Sequence, residues 1–293
     1  MAPMSPSKDF SSFESVDARS AGTLGFMPRL LVLTTLPHRR PRGHRFERVN
    51  GRYSLLLEAR RSVGLPYGIY PRLILVYLTT AAVRSKSPEI HLGATANNLA
   101  RKLGLSTVSG PRGTAHRLED QLNRLLCLRL DWQTSIGLHP ISSGSKLVTA
   151  GGAAWLKPLR RLLPRRPTWR SHIVLGQDFF EEITRSAVPV DLRALRLLQR
   201  SPLALDLYVW LTYRMSYLRR PTLVPWEGLQ AQLGADYARL RDFRRKALAH
   251  LTNVICVYPA LRVRQTDSGL YLYPSRPHVP ARPRRQARRT NRR

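Results

Sequence analysis

Between residues 201 and 273 the order of local signals leaves few folds open. Ser201-Pro202 supplies an N-cap followed by proline in the first helical turn. Leu203, Leu207, Trp210 and Leu211 then recur as one buried helical face. Pro221 to Pro225 brackets a short extended piece, and Trp226 to Leu233 reads as a short helix closed by Gly234. A basic helix follows from Tyr237 to Leu251. Leu261 to Arg264 and Leu270 to Tyr273 alternate on either side of the turn Asp267-Ser268-Gly269, which is a hairpin signal. Helix, strand, short helix, turn, basic helix, hairpin is the order of a winged helix-turn-helix.

The first half repeats this order. Leu73, Val76, Tyr77, Thr80 and Val83 make a helix that accepts Pro71 in its first turn, and Ser87-Pro88 ends it. A strand from Glu89 to Gly93 follows, then a short helix capped by Thr95 or Asn97 and closed by Gly104. Thr114 is the expected N-cap of a helix with its apolar stripe at Leu118, Leu122, Leu125 and Leu126, and Leu128 to Trp132 is a strand. Val76-Tyr77-Leu78-Thr79 echoes Val209-Trp210-Leu211-Thr212. Upstream, Leu30 to Thr35 reads as a short β-like run, the basic stretch from Arg39 to Arg48 as a loop, and Asn50-Gly51 as a turn leading into a strand at Tyr53 to Leu57.

The fold class expected is α+β: two tandem winged helix-turn-helix domains with flexible basic tails. Their boundaries fall at 1–29 for a disordered arm, 30–136 for the first domain and 137–169 for a wing loop and linker. The second domain spans 170–275, and an Arg-rich disordered tail spans 276–293.

In the second basic helix, Leu240, Phe243, Ala247 and Leu251 form the packed stripe, while Arg241 and Arg245 lie four apart on the opposite face. Arg239, Arg244 and Lys246 flank them, and Arg262 and Arg264 sit on the hairpin. Arginine in this setting reads guanine in bidentate fashion or holds phosphate. The corresponding helix of the first half offers His116, Arg117, Asn123 and Arg124, with Arg112 in the preceding turn; Glu119 and Asp120 oppose them, so phosphate contact is expected there more than base reading. A solvated arginine face would carry the same letters, and a compositional arginine bias adds to the count. Neither explains why Lys+Arg 49 meets only Asp+Glu 18, a formal net charge of +31 that calls for a polyanionic partner.

Catalytic patterns are missing. Gly144-Ser145-Lys146 lacks the rest of a phosphate-binding loop, and the histidines never take H-x-H or H-x-x-x-H spacing. Asp178, Glu181 and Glu182 read as the polar face of one helix turn; Tyr208, Tyr213 and Tyr217 read as core or rim. Cys127 and Cys256 are expected as buried thiols in a reducing compartment. With no apolar run long enough for a membrane span and no leader pattern, a cytoplasmic, non-enzymatic protein without cofactor or metal is expected.

Longer stretches resemble one family. Gly64-Leu65-Pro66-Tyr67-Gly68-Ile69-Tyr70-Pro71-Arg72-Leu73 and the run from Ser201 to Arg214 are similar to the plasmid-encoded RepA family of replication initiators. So are Thr35-Leu36-Pro37-His38, Gln121-Leu122-Asn123-Arg124-Leu125, Leu175-Gly176-Gln177-Asp178-Phe179-Phe180 and Phe243-Arg244-Arg245. The resemblance covers about residues 30–275. It implies tandem winged helices that bind repeated origin sites (iterons) in double-stranded DNA and open an AT-rich region. It also implies the host initiator DnaA and the replicative helicase or its loader as partners, and it leaves a homodimer open. Phe243, Arg244 and Arg245 would fall in the recognition-helix region. The family's Thr-Glu-Ala is here Thr80-Ala81-Ala82. The alternative readings are a winged-helix repressor on one operator, an enzyme such as a relaxase or primase, and a basic RNA-binding protein.

Overall fold

The computed structural model describes residues 16–108, 110, 113–134, 141–152, 171–234 and 237–280, without the side chains of 134, 141–145 and 152. It is a mixed α and β structure with four small antiparallel sheets around one continuous apolar core.

The first half is built on α2 (Ile69–Ser85), which is buried on most sides and ends with Lys86 in the left-handed region, φ 54°. It is followed by β4 (Glu89–His91), α3 (Ala96–Lys102) and α4 (Thr114–Leu126). Thr95 caps α3 by accepting from the Asn98 N–H at 3.1 Å. Gly113, not Thr114, is the N-cap of α4; the Thr114 hydroxyl instead donates to the Ser106 carbonyl at 2.6 Å. β5 (Arg129–Thr134) and β6 (Ile141–Lys146) come next, then β7 (Val148–Gly152) and β8 (His172–Leu175). In the second half α7 (Pro202–Tyr217), β10 (Thr222–Pro225), α8 (Trp226–Leu233), α9 (Leu240–Val257), β11 (Val263–Gln265) and β12 (Gly269–Leu272) follow the succession of the first, without counterparts of β5 and β6 among the described residues. The strand orders β4-β8-β7 and β10-β12-β11 match: in each half the strand after the first long helix pairs with the last strand of the closing hairpin.

Several segments depart from the sequence reading. Leu30 to Thr35 is not β-like: α1 (Arg29–Leu33) is a helix, and Leu30 to Leu33 are all buried. A fully buried run has neither the two-residue nor the 3.6-residue period, so the pattern could not distinguish the two. Of the arm of 1–29, the described residues are structured, since β1 (Leu24–Met27) pairs antiparallel with β9 (Val188–Asp191), while 1–15 lie outside them. The basic stretch from Arg39 to Arg48 ends as a strand: β2 (Arg45–Asn50) forms a hairpin with β3 (Tyr53–Glu58) through Gly51, φ +56°. β5 and β6 extend that hairpin into a four-stranded sheet.

The expected linker of 137–169 therefore contains all of β6 and β7, while 153–170 lies outside the described residues. A boundary at 170 does not separate the halves, since β8 pairs with β4 and β7 of the first. α5 (Gln177–Ser186) and α6 (Leu192–Leu198) connect onward to α7. Asp191 caps α6, and Ser201 caps α7 as its sequence position implies. At the other end, 276–280 is packed rather than disordered: Val279 is buried, and Arg19 donates to the Pro280 carbonyl.

A buried ion pair ties the halves together. Arg72 on α2 meets Asp206 on α7 through both carboxylate oxygens at 2.7 Å. Its remaining donors reach the carbonyls of Leu36, Pro37 and Gly68, so all five N–H groups are engaged. His38 Nε2 lies 2.8 Å from Asp206 Oδ2. Burial alone would raise the Asp206 carboxyl, but the Arg72 guanidinium and the His38 ring hold it below its ordinary value. Glu182, read as part of a polar face, is likewise buried, at 1% exposure, between Arg29 (3.1 Å) and Arg185 (2.6 Å). Cys127 and Cys256 are free and half-buried rather than buried. Among the described residues no helix is long and apolar enough to cross a membrane.

Candidate nucleic-acid interface

α9 presents two faces. Phe243, Ala247, Leu251, Val254 and Val257 are buried in the core. On the other face Arg241, Arg245 and Lys246 are exposed, with Arg239 exposed at the N-cap. Arg241 and Lys246 form no ion pair or hydrogen bond among the described residues, and Arg245 comes only within 3.8 Å of Asp242. This is a cationic surface on one helix, in which Asp242 is the one acidic neighbour among the described residues.

The attachment of α9 to α8 is tight. Gly234 ends α8 under the Phe243 ring, where a Cβ would lie 2.3 Å from a ring carbon. Tyr237 packs edge-on against Phe243, and Gln230 donates to the Tyr237 carbonyl at 2.8 Å. Glycine is required here for space.

The hairpin is fixed beside this surface. Trp226, at the start of α8, is buried and donates from its indole to the Thr266 carbonyl at 3.1 Å. The Thr266 hydroxyl donates to the Gly269 carbonyl and accepts from the Gly269 N–H, closing the turn. Arg244 lies over the Trp226 ring at 5.6 Å and bonds Asp267 Oδ1 at 2.9 Å. It therefore braces the hairpin tip rather than pointing freely outward like Arg241. Arg262 and Arg264 are exposed on the hairpin, leaning on Tyr273 (5.9 Å) and Tyr271 (5.6 Å). Stacking of this kind restrains a guanidinium while leaving its N–H edge open.

The first half treats its expected residues differently. His116 and Arg117 are exposed on α4. Arg124 does not face out: it is buried, bonds Asp120 Oδ2 at 2.9 Å and the Leu65 carbonyl at 3.2 Å, and lies over the Tyr67 ring. Asn123 is half-buried, and Gln121 accepts from the Tyr67 N–H. The last turns of α4 thus dock onto the loop at 60–68. Arg112 lies outside the described residues.

What faces α4 was not legible from the chain. Two adjoining clefts of about 940 and 780 Å³ share Arg40 and Asp120. Arg39, Arg117 and Arg200 line the first, and Arg42, His44 and Arg61 the second. Asp120, their one acid, is already paired with Arg124. Arginine density in 39–48 was the available signal, but nothing local places Arg61 or Arg200 beside it.

Among curated proteins no sequence matches the chain at a significant level. Two solved structures are similar. Domains 2 and 3 of RctB, as a selenomethionine derivative, align with TM-score 0.50 and 13% identity over 83% of this chain and 96% of that one. A second RctB structure, of residues 155–483, aligns with TM-score 0.47 and 13% identity over 79% and 83%. At this identity the first of these speaks for the fold alone. Residues 65–226, more than half of the chain, match the family model of the plasmid-encoded RepA protein, and the chain belongs to that family.

Proposed function

We propose that the chain is a plasmid replication initiator that acts by binding double-stranded DNA rather than by catalysis. In this reading each repeat of elements is a winged helix-turn-helix, one spanning 69–175 and the other 202–273. β11 and β12 form the wing of the second, and α9 enters the major groove. The observation that carries it is the exposed row of Arg241, Arg245 and Lys246 on α9, with Arg262 and Arg264 held beside it on the hairpin. Arg241 and Arg245 are the base readers; Arg239, Lys246, Arg262 and Arg264 hold phosphate. In the first half, Arg117 with Arg40, Arg42, Arg61 and Arg200 holds the backbone without reading bases. Membership of the RepA family supports the initiator role. The sequence resemblance adds repeated origin sites, DnaA, a helicase or its loader, a homodimer and a cytoplasmic setting to the proposal.

The test is binding to duplexes from DNA flanking its own gene against scrambled duplexes, at about 150 mM salt. A specific DNA-binding protein gains roughly a thousandfold or more over non-specific sites. Stepwise occupancy of several repeats is expected; occupancy of one palindrome would favour a repressor. Arg241→Ala and Arg245→Ala should each weaken specific binding by about 1–3 kcal/mol and leave scrambled-DNA binding nearly unchanged. Unchanged selectivity in both variants would remove α9 as the reading helix.

A further inference from the structure

α2, α3 and α6 enclose an apolar pocket of about 280 Å³ that the DNA-binding reading does not use. Leu73, Val76 and Ala81 of α2, Leu103 after α3, and Leu192 and Leu195 of α6 line it. Among the described lining residues three are cations, Arg84, Lys102 and Arg196, and none is acidic.

Each cation is positioned by the fold. Lys102 donates to the Tyr77 hydroxyl at 3.2 Å and lies 5.4 Å from the centre of that ring. Arg84 spends one N–H on the Leu24 carbonyl at 2.6 Å. The Arg196 stem runs against Gly104, φ +70°, where any Cβ would collide with it, and Gln199 ties the Gly104 carbonyl at 3.2 Å. Arg196 is exposed, and its guanidinium makes no ion pair or hydrogen bond among the described residues.

The apolar lining does not suit a phosphate backbone, whereas binding charge alone would not need it. The combination suits one large apolar side chain flanked by carboxylates. A pocket of this size is also small for an independent ligand, whose sites run from about 300 to 1,000 Å³, but it is adequate for a single anchoring side chain, the arrangement in which a few buried residues dominate an interface. We propose that this pocket is a docking site for an acidic segment of a protein partner, with a Leu or Phe anchor seated between α2 and α6 and Asp or Glu residues pairing with Arg84, Lys102 and Arg196. The site lies on elements other than α4, α9 and the hairpin, so it stands whether or not the DNA-binding assignment does.

The experiment uses the full chain and fluorescein-labelled peptides in which a single Leu or Phe lies between acidic residues, read by anisotropy. A protein of charge +31 attracts any acidic peptide, so a matched peptide with Ser in place of the anchor is the reference. The anchored peptide should bind about tenfold or more tightly than the Ser peptide. Ala81→Trp, which fills the pocket, should abolish that difference, and so should Arg196→Glu on the exposed rim. Circular dichroism and retained DNA binding establish that the variants are folded. Equal binding of anchored and Ser peptides, or an unchanged preference in Arg196→Glu, overturns the proposal. Binding of decanoate with no anchored-peptide preference also overturns it, in favour of a small amphiphile.

Discussion

Arg72 shows how much one side chain can decide here. Burying a guanidinium and a carboxylate together is costly in desolvation, and the pair persists because every donor of Arg72 has an acceptor. The three carbonyls it holds belong to Leu36, Pro37 and Gly68, so it fixes two loops as well as joining α2 to α7. Arg72→Met should cost about 3–5 kcal/mol in urea unfolding, because Asp206 is left buried without its main partner. Adding Asp206→Leu should recover much of that loss. A single variant as stable as the parent would show that the pair is dispensable. None of this was legible in the sequence. Arg72 looks like any arginine of this chain, and its partner lies 134 residues away. Glu182 was misjudged for the same reason. Caps were more legible, though Thr114 was misplaced, because their chemistry is local: Thr95 and Ser201 each bond an N–H three residues on.

At the scale of elements, β10 and α8 were read almost to the residue, since proline and glycine bound them, whereas α9 starts at Leu240 and runs to Val257, six residues beyond the expected end at Leu251. The pairings that tie the ends into the molecule were missed. β1 finds its partner in β9, and the segment 276–280 finds its place against α7 and α9. His278 anchors that segment, stacked on Tyr258 at 4.7 Å. The Tyr208 hydroxyl accepts from the Asp191 N–H, so its proton is free for His278 Nδ1 at 2.8 Å, which requires a neutral imidazole. Burial, aided by Arg193 and opposed by Asp191, pushes His278 down to about 4. Its pKa is depressed on folding, so its contribution is complete above the unfolded value near 6.5 and lost as pH falls toward about 4. The loss amounts to at most about 3 kcal/mol. His278→Phe keeps the stacking and removes the titration. The difference in stability between the two chains should therefore change between about pH 6.5 and 4 and be flat above. A difference independent of pH throughout that window would show that His278 is protonated equally in both states.

For the molecule as a whole, the proposed function raises the question of how a net charge of +31 would coexist with selective DNA binding. A charge of that size binds any duplex, and binding through released counterions falls with salt by a slope of about 0.9 per phosphate neutralised. On the proposed function, selectivity would come from the few cations whose geometry is fixed, and in the second half these lie on α9 and the adjoining hairpin. The sequence after Pro280 adds Arg282, Arg284, Arg285, Arg288, Arg289, Arg292 and Arg293. These are seven cations in thirteen residues, with Pro283 the one proline among them and Ala281 and Ala287 the only apolar side chains. A chain ending at Pro280 keeps the packed Val279 and the bond from Arg19, so it should fold as the parent does. Its affinity for scrambled duplex should fall, and the salt slope should drop by as much as about six. The ratio of origin to scrambled binding should stay within a few-fold of the parent, because no base reader has been removed. Titrations of both chains at several salt concentrations measure slope and ratio together. A slope that drops while the ratio holds places specificity on the folded domains; a ratio that collapses would mean that the arginines after Pro280 read sequence, and that α9 is not sufficient.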